Sequence, residues 1–300
     1  MHVQPFLFAA MCVVWGLTWI AIRTGVAAVP PLFFAGTRFV AAGALMLGWH
    51  ALRGGRLAFP AAALPGFAVV ALLMIVLSYA GLFWGLRFVA SGLAAVVNLG
   101  LMPLALFAGG LAFGSERFSW RQTFAALLGL GGLVLLFDPA LRGDGAERWG
   151  LAAIVGGTLA YSIGSVVSRP LVARYAPMLV AGHTCLAGGI GLTALALALE
   201  PVGVATLAAF ADPGVAAGWL FLVVFGSLVG FTIYLVLVRD WGASRAGLYA
   251  FVSPIIAVAV GVGVSGERFR ARELAGMAVM LAATWIALRG RRFDRTAERR

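Results

Sequence analysis

Residues 103–121 read PLALFAGGLAFGSERFSWR, and residues 254–272 read PIIAVAVGVGVSGERFRAR. Laid over one another at an offset of 151, the two stretches share seven identities in nineteen positions. Pro103 meets Pro254, Gly110 meets Gly261, Glu116-Arg117-Phe118 meets Glu267-Arg268-Phe269, and Arg121 meets Arg272. A weaker match at offset 146 pairs Trp15 with Tyr161, Arg23 with Arg169, and Pro31 with Pro177. The change of offset places about five additional residues in the second half, in the loop between Glu200 and Pro213. Similarity between the two halves of a chain is the mark of a duplicated architecture.

The rest of the chain says what is duplicated. It has 300 residues, 62% of them hydrophobic and only 11% charged, with a mean hydropathy of +1.01. A soluble domain of that length needs more polar surface to cover its core, so the composition is that of a membrane protein. A helix needs about 20 apolar residues to cross a hydrocarbon core about 30 Å thick. Ten such runs are present, at roughly 5–22, 31–51, 63–86, 91–113, 121–138, 150–168, 177–199, 215–238, 246–264 and 272–289. None alternates as a barrel strand would, so helices must satisfy the backbone in lipid. The N-terminus lacks the basic region of a secretory signal, and its first run is kept as a span. The expected fold is all-α and integral to the membrane, with ten transmembrane helices as two five-helix repeats, 1–145 and 146–300. Five is odd, so the repeats enter the membrane in opposite directions, as in carriers that alternate access around a midplane site.

The formal charge of +11 could suggest nucleic acid as a partner. Every basic residue is Arg, however, and almost all sit in short gaps between apolar runs, which is a topology signal. Fourteen fall on the side of the N-terminus: Arg53, Arg56, Arg117, Arg121, Arg169, Arg174, Arg239, Arg245, and six in the tail after residue 288. Seven fall opposite: Arg23, Arg87, Arg142, Arg148, Arg268, Arg270 and Arg272. Both termini are therefore expected in the cytoplasm. Without the tail the balance is eight to seven, near parity, as oppositely inserted halves require.

The chemistry of an enzyme is missing. Cys12 and Cys185 lie in apolar runs far apart, and His2, His50 and His183 are scattered without partners for a nucleophile or a metal. No metal, cofactor or nucleic acid is expected. The expected partners are lipid and a small-molecule substrate, with a monomer as the favoured assembly. Gly129-x-Gly131 lacks the strand a nucleotide fold requires.

The Trp15-Gly16 start of the first span, Pro30-Pro31 and Arg38 opening the second, and the Pro…Glu-Arg-Phe pattern closing each half resemble the drug/metabolite transporter superfamily, EamA type. Within it the chain looks most like the YddG-type bacterial amino-acid exporters. The resemblance implies a carrier in the bacterial inner membrane that exports neutral or aromatic amino acids and related metabolites. Nucleosides, other metabolites or drugs are the alternative cargo.

Candidate site residues follow from position. Arg38 is the one charge well inside a span, about 10 Å beyond Pro31, where an unpaired cation is costly and suits a substrate carboxylate or neighbouring helix-end carbonyls. Trp15, Thr18 and Trp19 share one face of the first span, and Tyr161, Gly164 and Ser165 take the matching positions in the sixth. The third span offers Ser78, Tyr79 and Phe83 and the eighth Ser227 and Tyr234, while Asn98 and Met102 are matched by Tyr249 and Ser253. Together they suit a cavity lined by rings and a few polar groups. Pro103 and Pro254 each leave a carbonyl unpaired, at Leu99 and Ala250, and are candidate hinges. His183 is expected to bond across helices, and Gly110-x-x-x-Gly114 to allow close helix packing. No carboxylate lies at the middle of a span, which argues against a lipophilic-cation exporter driven by protons.

Overall fold

The computed structural model describes residues 3–137, 143, 145–265 (backbone alone for 261–265) and 270–288. Among them every regular element is helical, and ten helices are long and apolar enough to cross a membrane. They are α1 (Gln4–Val26), α2 (Pro31–Leu52), α3 (Ala61–Gly85), α4 (Ser91–Ala112), α5 (Trp120–Phe137), α6 (Gly145–Arg174), α7 (Pro177–Leu199), α8 (Pro213–Trp241), α9 (Tyr249–Ser265) and α10 (Ala271–Leu288). A four-residue helix, Ala243–Ala246, leads into α9. A short helix, Val204–Ala209, occupies the loop expected to hold the additional residues of the second half. The second Glu-Arg-Phe copy, Asp138, Arg142 and the basic tail lie outside the described residues.

The helices pair in a regular way. The most extensive contact is α2 with α7, followed by α5 with α10. Beyond these, α3 packs on α6 and α1 on α8, while α4 packs on α6 and α1 on α9. Adding five to both helix numbers, and wrapping round at ten, turns α3–α6 into α8–α1 and α4–α6 into α9–α1, and returns α2–α7 and α5–α10 to themselves.

Small residues permit these approaches, since in lipid the gain comes from close packing rather than from expelling water. A Cβ at Gly43 would stand 2.4 Å from the Leu186 backbone nitrogen of α7. One at Gly132 would stand 2.9 Å from the Gly276 carbonyl of α10. Gly110 and Gly114 work otherwise than expected. Gly110 leaves room for the Glu116 side chain, and Gly114, at φ +65°, ends α4 in the left-handed conformation that lacks a penalty only for glycine.

Large apolar side chains on the outside, including Phe6, Leu52 and Leu199, form the lipid face. Trp49, Trp120 and Trp149 are exposed near helix ends, where the indole sits at the membrane–water boundary. Glu200 accepts from the backbone N–H groups of Leu32 and Phe33, both at 2.9 Å, and so caps the start of α2.

Two features depart from the hydropathy pattern. Helix α6 runs for 30 residues, beyond the expected 150–168 at both ends, because its polar ends continue as helix outside the apolar core. Within α3 and α8, Leu72–Leu77 and Leu222–Val229 form π-helical turns, at positions that nearly coincide when the halves are overlaid. Such turns interrupt the regular bonding of a helix and concentrate at functional sites.

Candidate functional site

A cavity of about 380 Å³ runs through the middle of the bundle. That lies within the range of about 300–1,000 Å³ found for small-molecule sites. Helices α1, α2, α3, α4, α6, α8 and α9 line it, whereas α5, α7 and α10 contribute nothing. Its inner part is bounded by Trp15, Asn98, Tyr161 and Tyr249, and its outer part by Val26, Pro31 and Arg87, at the end of the bundle where α1 meets α2 and α3 meets α4.

Thirteen of the sixteen candidate binding residues line this space: Trp15, Thr18, Trp19, Arg38, Ser78, Tyr79, Phe83, Asn98, Met102, Tyr161, Ser227, Tyr249 and Ser253. Tyr234 and Ser165 do not. Their hydroxyls bond to each other in the packed interior, so neither is left unpaired in an apolar setting. Tyr234 backs the cavity wall, its ring 5.4 Å from Trp15, 5.8 Å from Tyr161 and 5.9 Å from Tyr249. Gly164 also faces away and admits Met74 of α3. The hinge candidates Pro103 and Pro254 interrupt α4 and α9 next to the lining residues Met102 and Ser253, but neither proline lines the space itself. Of the carbonyls they free, Leu99 belongs to a lining residue and Ala250 to a fully buried one. His183 stands apart, beside the stacked rings of Phe59 and Phe67, with Nδ1 2.9 Å from the Leu179 carbonyl of its own helix rather than bonded across helices.

The ring cluster is held by specific bonds. The Trp15 indole N–H donates to the Gly226 carbonyl at 2.9 Å, inside the π-helical turn of α8. A side chain at Gly230 would collide with that indole, at 2.4 Å from its nitrogen. The ring of Trp15 meets Tyr249 edge-on at 4.4 Å, a favourable arrangement of quadrupoles. Thr158 donates to Asn98 Oδ1 at 2.7 Å and so orients the amide.

Arg38 is 4% exposed and lies between aromatic rings, its guanidinium carbon 4.5 Å from the centre of Phe39 and 5.4 Å from that of Tyr79. It donates to Tyr79 Oη at 2.9 Å, rather than to helix-end carbonyls. No carboxylate among the described residues pairs with it. Ser227 and Ser253 also line the cavity, each nearly fully buried, and neither hydroxyl has a hydrogen-bond partner among the described residues. Phe39, Met74, Ile75, Gly226, Phe231 and Arg87 were not candidates. Four of them sit in or beside the two π-helical turns or next to Arg38, where simple helical spacing fails to predict the inward face.

The sequence profile of the EamA-like transporter family matches residues 4–138 and 148–289, which together span nearly the whole chain. The chain belongs to the EamA family. It is a membrane transporter and not an enzyme. Relatives of this EamA-family chain include the "Uncharacterized inner membrane transporter YedA" of Escherichia coli K12, 30% identical over 292 residues, which cover 94% of this chain and 89% of that protein. They also include a "Probable amino-acid metabolite efflux pump" of Salmonella typhimurium LT2, 25% identical over 305 residues and covering 97% of each chain. A solved crystal structure at 19% identity superposes with a TM-score of 0.78, covering 95% of this chain and 96% of that one, which shows a shared fold.

Proposed function

We propose that this transporter exports amino acids, neutral or aromatic, and related small metabolites across a bacterial inner membrane by alternating access. Its two inverted halves, 1–145 and 146–300, would rock about the proline-interrupted helices α4 and α9, with both termini in the cytoplasm. On that orientation the cavity opens away from the cytoplasm, because Val26, Pro31 and Arg87 mark its mouth.

The observation that carries the proposal is the cavity itself. It draws rings and polar groups from both halves, and three repeat-related pairs meet in it: Trp15 with Tyr161, Asn98 with Tyr249, and Met102 with Ser253. Ring faces offer an amino group about 0.5–2 kcal/mol of cation–π attraction, and apolar area for a side chain. The name of the Salmonella relative adds support for amino-acid cargo. Counterflow of labelled phenylalanine and leucine into proteoliposomes tests it. Accumulation above that of protein-free vesicles is the expected result, and its absence for both amino acids would refute the cargo.

A further inference from the structure

We infer that the cavity holds an oxyanion subsite, formed by Arg38 and Ser227, that requires a carboxylate on the solute and gives no comparable place to an ammonium group. The inference rests on the cavity being the solute site, and it assigns the charge of the solute that fits there.

Charge alone points this way. The lining includes two arginines, Arg38 and Arg87, and no aspartate or glutamate. Arg38 is buried by the bundle yet spends hydrogen bonding on a neutral phenol, Tyr79 Oη, so its positive charge is not neutralised by any described carboxylate. A buried cation without a counter-ion is costly, and an incoming anion removes that cost. Bonds from a guanidinium to a carboxylate are also about twice as strong as neutral ones.

Geometry supplies the second group. Ser227 is 1% exposed, lines the cavity, and keeps an unpartnered hydroxyl, which can donate to an oxyanion. Its neighbour Gly226 lies directly against the arginine, since a Cβ there would stand 3.6 Å from an Arg38 terminal nitrogen. This stretch of α8, the π-helical turn Leu222–Val229, packs against α2. Arg87 lies in the turn just past the end of α3, beyond Tyr79 and towards the mouth, where it attracts the same sign of solute. An ammonium group meets only ring faces and neutral acceptors.

Four probes sharing one ring separate the charges: 3-phenylpropionate, phenylalanine, phenethylamine and 3-phenyl-1-propanol. Binding to the purified full chain in detergent is read by quenching of tryptophan fluorescence and by calorimetry. The expected order is 3-phenylpropionate at or above phenylalanine, with phenethylamine weaker by at least about tenfold, the loss of one charge-assisted contact. Ser227→Ala should weaken 3-phenylpropionate about threefold to tenfold and leave 3-phenyl-1-propanol unchanged. Arg38→Gln should abolish the preference for carboxylate over amine. Wild-type binding of phenethylamine as tight as 3-phenylpropionate, or no binding of 3-phenylpropionate, overturns the subsite without any variant being needed. Carboxylate-selective binding with no counterflow would leave the subsite standing and refute the exporter, whereas counterflow without charge preference would do the reverse.

Discussion

The two ends of the bundle are built from related segments and differ in packing. At one end, the loop after α4 reaches the loop before α9. Glu116 accepts from the Ser244 backbone N–H at 3.3 Å, and Arg169 donates to the Ser115 carbonyl at 2.9 Å. Leu106 fills the space against Gly247, and the cavity remaining among Pro103, Ser244 and Arg245 is about 20 Å³, the room of about one water. At the other end, the start of α4 has no side-chain cap, Ser91 is exposed, and Arg87 stands at the mouth of the large cavity. Gly242 and Ser91 occupy equivalent positions at offset 151, yet Gly242 is buried with φ +87° beneath Glu116. The difference teaches which end is sealed in this conformation. It also shows how small the seal is: a carboxylate, a guanidinium and a leucine.

The largest effect expected is at Gly242. Valine there meets both a left-handed backbone and the Glu116 carboxylate, and should cost about 1–3 kcal/mol. Ser91→Val at the equivalent exposed site should stay within about 0.5 kcal/mol. Thermal unfolding of the two variants in detergent measures the contrast, and equal losses would mean that the ends are not differently packed. Next, Glu116→Ala removes a cap worth about 1 kcal/mol and should loosen only the sealed end. A cysteine at Leu106 should then react faster with a polar maleimide, while one at Val26 keeps its wild-type rate.

Trp19→Ala or Tyr79→Ala should shift preference among aromatic and aliphatic solutes by about 0.5–2 kcal/mol without changing folding or insertion. Competition binding with a retained thermal transition checks this. Smallest is the effect of the prolines. Pro103→Ala and Pro254→Ala restore a helical bond and should slow turnover more than they weaken binding. Wild-type turnover in the double variant would reduce both prolines to passive kinks.

Much of the architecture was legible because hydropathy and helix length obey the bilayer. All ten spans stand near their expected places, and the boundaries of α6 failed only where polar residues continue a helix beyond the apolar core. The cavity wall was legible through equivalence of the halves, which singled out Trp15 with Tyr161 and Asn98 with Tyr249. Helical spacing misplaced Ser165 and Tyr234, because two hydroxyls that satisfy each other can turn away from an aqueous space. It also could not foresee the π-helical turns, whose sequences LLMIVL and LVVFGSLV carry no marker of broken bonding. The partner of Arg38, Tyr79, lies 41 residues away, and only the packing of α2 on α3 brings them together.

The central claim is that one cavity, open at one end, is where solute binds. Single cysteines at Trp15, Tyr79, Asn98, Tyr161 and Tyr249, in vesicles of known orientation, test it most directly. Native Cys12 and Cys185 are buried and should give little background. A membrane-impermeant maleimide should label the five positions from the side away from the termini, and phenylalanine or 3-phenylpropionate should slow all five rates together. Labelling that no solute slows, or that comes equally from both sides, would contradict a single solute site sealed at one end.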